Sequence, residues 1–166
     1  MPMLPQLDTV SFDDALPLAL LSTSEYGPKL ARETRLALRV LAAAPAGSDG
    51  GDPQLLRLEA KLDLALELAL FGRHPETPAC RACRLGLAEI VWLQDEAAGM
   101  GDALLRLSPN PDSALTLFLP VAVSASQEDG RTLVRARLGA SFDDSTRDAW
   151  EKWVFRRHRE AIRQQS

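Results

Sequence analysis

The chain has 166 residues and a formal net charge of −4, which is enough for one domain that buries its core without disulfides or metals. Its 29 Leu and 24 Ala stand against nine aromatics, and an apolar fraction of 46% excludes a disordered chain. No uncharged apolar run reaches the ~18 residues of a membrane span, two cysteines cannot form a disulfide scaffold, and mild acidity argues against a nucleic-acid binder.

The segment Met1 to Asp8 lacks the basic start and long apolar run of a signal peptide, so a soluble cytoplasmic protein is expected. Phe12 to Leu21 reads as a strand or a short helix. Pro17 interrupts either, and suits an edge strand better than a helix interior. Pro28 fits a first helical position, and Leu30 to Ala44 continues without a breaker. A loop is expected from Pro45 to Gly51. Asp52 and Pro53 then read as N-cap and first residue of a second helix, with Phe71 at its end and Gly72 as its stop.

After the loop from Gly72 to Pro78 the period becomes strand-like. Leu85, Leu87, Val91 and Leu93 recur at even spacing, broken at Glu89. Ala103 to Leu107 is a short strand, and Pro109 to Asp112 is a turn. Leu115, Leu117, Leu119, Val121 and Val123 alternate with residues that are small or polar apart from Phe118, and Pro120 marks an edge or a bulge. Asp129-Gly130 is a hairpin turn, and Thr132 to Phe142 returns. Ser145 with Asp148 resembles a capping box ahead of a closing amphipathic helix to about Arg163, anchored by Trp150, Trp153, Val154 and Ile162. The pattern reads as α+β: a small antiparallel barrel or sheet, a helical hairpin inserted near its start, and a C-terminal helix.

The helix from Pro53 to Phe71 is the sharpest feature. Leu62, Leu64, Leu66, Leu68 and Leu70 alternate as in a strand, but β-branched residues are absent and helix punctuation stands at both ends. At 100° per residue, Leu55, Leu58, Leu62, Ala65 and Ala69 form one a/d stripe, widened by Leu66 and Leu68. Arg57 and Lys61 flank one side; Glu59, Asp63 and Glu67 flank the other. Two readings follow: a helix buried against its own domain, or a self-association helix.

Chemical candidates are few. Cys80 and Cys83 supply two ligands where zinc needs four, with His74 upstream and His158 far downstream, so ordinary cysteines are expected and no metal or cofactor is called for. Asp13-Asp14 and Asp143-Asp144 read as element-boundary residues rather than a catalytic dyad. No nucleophile motif or phosphate loop exists, so no catalytic residue is assigned and no enzyme is expected. Arg147, Lys152, Arg156, Arg157, Arg159 and Arg163 on the last helix, and Arg32, Arg35 and Arg39 on the first, read as solvated basic faces.

The order of Phe12-Asp13-Asp14 with Leu16 to Leu20, Arg57-Leu58-Glu59-Ala60-Lys61-Leu62-Asp63, Gly101 to Leu105, and Trp153 to Arg159 resembles the atypical, tetramer-forming branch of the bacterial PilZ domain family. The resemblance covers nearly the whole chain as one domain over residues 1–166. It implies a PilZ-like β-barrel with main strands within 84–142, inserted helices within 28–72, and a C-terminal helix at 145–164. It also implies a homotetramer joined by a parallel four-helix coiled coil, with Leu55, Leu58, Leu62, Ala65, Leu66 and Ala69 as the seam. PilZ domains bind cyclic dimeric GMP through R-x-x-x-R and [D/N]-x-S-x-x-G motifs, in which arginine forks meet phosphate and guanine. Here Arg84, Gly86 and Glu89 stand where the second motif wants Asp or Asn, Ser and Gly, and the R-x-x-x-R at Arg35 to Arg39 lies in a predicted helix far from that strand in sequence. The resemblance therefore implies a non-enzymatic oligomeric adaptor with an unidentified protein partner and no tight messenger binding. The alternative is a receptor for cyclic dimeric GMP with a non-standard site.

Overall fold

A computed structural model of the chain describes residues 4–43, 52–139 and 142–165. Its strands are β1 (Ser11–Leu21), β2 (Cys80–Gly86), β3 (Glu89–Gln94), β4 (Gly101–Leu107), β5 (Leu117–Glu128) and β6 (Arg131–Leu138). They close an antiparallel barrel in the order β1-β2-β3-β6-β5-β4. Helices α1 (Pro28–Ala42) and α2 (Pro53–Phe71) intervene between β1 and β2, and α3 (Asp144–Gln165) follows β6. This is the α+β arrangement the sequence predicts. The expected Pro45–Gly51 loop lies outside the described residues.

Both strand prolines sit where a ladder stops. β1 pairs with β2 through Pro17 and with β4 from Leu18 onward. The Pro17 carbonyl accepts from Ser108 N at 2.9 Å, so its missing N–H falls at the end of the β1–β4 ladder. The Pro120 carbonyl accepts from Gly139 N, one step beyond the last β5–β6 pair, Val121 with Leu138. The β5–β6 turn holds Asp129 at φ 49° and Gly130 at φ 77°, the left-handed pair of a type I′ hairpin.

Leu16, Leu85, Ile90, Trp92, Leu105, Leu117, Leu119 and Val134 fill the barrel. Trp150, Trp153 and Val154 of α3 join that core, with Phe12 edge-on to Trp153 at 5.6 Å. The Trp150 indole N–H donates to the Gly86 carbonyl at 3.2 Å, which removes the cost of burying it. On α1, Ala37 and Leu38 are buried. Thr34 Oγ1 donates to the Phe118 carbonyl at 3.2 Å and accepts from Phe118 N at 2.9 Å, pinning the helix to β5.

Four expectations are corrected. The main barrel strands extend beyond 84–142: β1 belongs to the barrel, the strands after the inserted helices begin at Cys80 rather than 84, and the returning strand ends at Leu138 rather than Phe142. The apolar run from Leu85 to Leu93 is a hairpin, and its phase flips at Leu87-Ala88: Leu85, Ile90 and Trp92 join the core, whereas Val91 and Leu93 belong to a separate cluster with Leu4, Leu7 and Leu133. Asp13 and Asp14 are not boundary residues; they lie inside β1, paired with Arg84 and Arg157. The N-cap of α3 is Asp143, not Ser145. Asp143 Oδ1 accepts from Thr146 N at 2.7 Å, while Asp148 pairs with Lys152.

Candidate functional site

Asp52 caps α2 by accepting from Gln54 N at 2.9 Å, Pro53 opens it, and its 19 residues span about 28 Å. The helix buries none of its residues. Of the two readings left open by the pattern, the helix buried against its own domain therefore fails. Only its last turns are tied down. Glu67 accepts from Ser113 Oγ and, at 2.7 Å, from Ala114 N, and Leu70 packs on the core edge. Beyond the helix, Arg73 and His74 both reach Glu33 of α1, at 3.0 and 2.6 Å, and the His74 ring lies 4.9 Å from that of Phe118.

These anchors fix which way the stripe faces. At 100° per residue Glu67 points about 140° away from Leu62, and Leu70 about 80° away. The first turns of the a/d stripe consequently face solvent: Leu55 and Leu58 are each 53% exposed and Leu62 is 60% exposed. Leu64 and Leu68 extend the exposed apolar surface. The C-terminal part of the stripe opens on an apolar cleft of about 450 Å³. Leu66 and Ala69 line one wall of it, and Leu36 and Val40 of α1 line the other. Sequence reasoning placed Glu67 among the flanking charges and missed its anchoring role, because its partners lie 46 and 47 residues away.

The positions of the second ligand motif are occupied by internal contacts. Arg84 forks onto Asp13 through Nε at 2.6 Å and Nη2 at 2.8 Å, and its Nη1 donates to the Leu4 and Pro5 carbonyls at 3.0 and 2.8 Å. The hydrogen bonds to Asp13 raise the Arg84 pKa above its ordinary value. A Cβ on Gly86 would meet Leu7 Cδ1 at 2.8 Å, so a side chain there would push Leu7 aside where the N-terminal segment approaches. Glu89 pairs with Arg135 at 3.1 Å. Arg35 and Arg39 stand on α1, where Arg35 lies 3.9 Å from Asp143, and they do not join Arg84.

The other candidates are dispersed. Cys80 is exposed and Cys83 buried, three residues apart on one strand; burial pushes the Cys83 thiol up to about 12. His74 engages Glu33, and His158 Nδ1 lies 2.6 Å from the Ser11 carbonyl oxygen. Among the described residues no group of three or more His, Cys, Asp or Glu is placed to hold a metal ion, and no helix is long and apolar enough to cross a membrane. The basic face of α3 is partly structural. Arg156 donates to the Leu41 and Ala43 carbonyls at the end of α1, and Arg157 pairs with Asp14 at 2.5 Å while stacking over Phe12.

A family model described as "Atypical PilZ domain, cyclic di-GMP receptor" matches residues 37–166. Among solved structures, the chain is similar to a pathogenic protein from Xanthomonas campestris described as a new tetrameric PilZ domain self-assembled via an unusual helical bundle. The two are 24% identical, the match covers 94% of this chain and 92% of that one, and the TM-score is 0.73. That likeness shows a shared fold. A search of curated proteins found no match.

Proposed function

The chain belongs to the atypical PilZ domain family, and from that premise we propose that it is a non-enzymatic interaction module of cyclic di-GMP signalling that self-associates as a tetramer through α2 and does not bind the messenger tightly. The observation that carries the assembly is the solvent-facing stripe on α2: Leu55, Leu58 and Leu62 exposed on a helix that has no fully buried residue and touches its own domain only through its last turns. An apolar stripe of that kind marks an interaction site. Ala65, Leu66 and Ala69 continue the seam toward the barrel, and the small alanines permit close approach of neighbouring helices. The description of the Xanthomonas protein as a tetramer built through a helical bundle supports the same use of the inserted helices. The test is sedimentation of the native chain beside Leu62→Asp, with a tetramer falling to smaller species.

Weak messenger binding follows from how the motif positions are used. Arg84 already makes four hydrogen bonds to one carboxylate and two carbonyls, and Glu89 brings an acidic group to a face that a dianionic ligand would need cationic. A second reading, a receptor with a non-standard site, is favoured by the receptor description of the matching family. Calorimetric titration with cyclic di-GMP decides between them. At about 100 µM chain, heats from binding in the ~10 µM class are measurable. No heat supports the adaptor; saturable heat establishes the receptor.

A further inference from the structure

Residues 4–10 cross the outside of the barrel as a strap that enters no strand. Beneath it, Val91 stands between Arg84 and Arg135 in cross-strand register, and Leu93 stands opposite Leu133. Leu4 and Leu7 cover Val91, Leu133 and Leu93 as a cluster separate from the barrel core, with Leu4 only 7% exposed. Arg84 holds the strap by its main chain alone, at the Leu4 and Pro5 carbonyls, and Asp13 orients the guanidinium from below. Thr9 Oγ1 accepts from Leu87 N at 3.3 Å, and Gly86 leaves room for Leu7. A cavity of about 460 Å³ opens beside the strap, between Leu7, Arg84 and His158.

These are the parts of a peptide groove: two leucine-sized seats three residues apart, a guanidinium that reads backbone carbonyls, and a glycine that admits close approach. We propose that this face of β2, β3 and β6 docks an extended partner peptide of the pattern Leu-x-x-Leu, and that the chain's own residues 4–10 occupy it as an internal stand-in. Because no ladder hydrogen bond holds the strap, its release would break the Arg84 and Thr9 contacts and uncover Leu4 and Leu7 without opening the barrel. The proposal rests on the interaction-module reading for the existence of a partner, but it shares no residue with the α2 seam.

The test uses the full chain carrying Leu4→Ser and Leu7→Ser, with hydrogen exchange to verify that residues 4–10 are released and the barrel is retained. A labelled peptide of sequence Leu-Pro-Gln-Leu-Asp-Thr-Val binds this variant saturably by fluorescence anisotropy. The native chain binds it roughly tenfold or more weakly, because a tethered strap competes at an effective concentration of about millimolar. Adding Arg84→Ala, or Arg84→Lys where Ala disturbs the fold, weakens peptide binding by roughly tenfold through loss of the fork. Equal binding by variant and native chain, no binding by a variant with a freed strap, or a strap that stays protected in the variant overturns the proposal. None of these results depends on the mass found by sedimentation, so failure of the groove and failure of the seam are read separately.

Discussion

Replacing Leu62 by Asp separates the fold of one chain from the assembly of several. In a single chain Leu62 is 60% exposed and contributes little to the barrel. Burying the exposed remainder of one leucine is worth about 1–2 kcal/mol, given roughly 1.5–3 kcal/mol for a whole side chain. Four symmetry-related copies would therefore contribute about 4–7 kcal/mol, a share of the ~4–15 kcal/mol cost of each of the three association steps that the rest of the stripe must complete. Aspartate forfeits that term and places four carboxylates in one layer of the seam, where desolvation costs several kcal/mol for each ion. The unfolding free energy of the separate chain changes by no more than about 0.5 kcal/mol, as for an ordinary surface site. Sedimentation velocity and urea unfolding, run on the same samples, should show a lower mass with an unchanged barrel. A Leu62→Asp chain that keeps the mass of the native protein refutes the assignment of the seam.

Three further outcomes are expected. Thr34→Val removes both hydrogen bonds to Phe118 and strands a buried N–H and C=O, so urea unfolding should register a loss of about 1–3 kcal/mol. Asp143 has a carboxyl pKa lowered by the hydroxyl and N–H of Thr146, so its charged cap stabilises above the ordinary carboxylate range and is lost as pH falls through the lowered value. Thermal melts of the native chain and Asp143→Asn should accordingly differ at neutral pH and converge in strong acid. At pH 8 a thiol reagent should label the folded chain once, at exposed Cys80, while Cys83, with its thiol held at about 12, reacts only on unfolding; labelling of both refutes the burial argument.

The strands that were legible are those whose outer face is polar or small. β5 alternates from Leu119 to Ser124, after Phe118 is buried on its outer face, and its turn carries Asp129-Gly130, so period and turn chemistry agree there. The phase of β3 was not legible, because Val91 and Leu93 are apolar on the outer face and a distant strap, not the core, covers them. The same strap explains Arg84: its charge marks it as polar, but nothing near it in sequence announces Leu4, Pro5 or Asp13 as partners. α2 was legible as a helix because Asp52-Pro53 opens it, even though its leucines alternate like a strand. Which side of α2 faces solvent was fixed by Glu67 reaching Ser113 and Ala114, a long-range contact that composition cannot reveal. The cap of α3 was misplaced by two residues, since Asp143, Asp144 and Ser145 all have capping side chains and only the backbone geometry selects Asp143.

Assembly through α2 is tested most directly by the mass of the unsubstituted chain at sedimentation equilibrium over a dilution series. The expected mass is four times the 18.1 kDa of one chain. A mass of 18.1 kDa throughout the series, with the helix content of a folded α2 preserved, would contradict it.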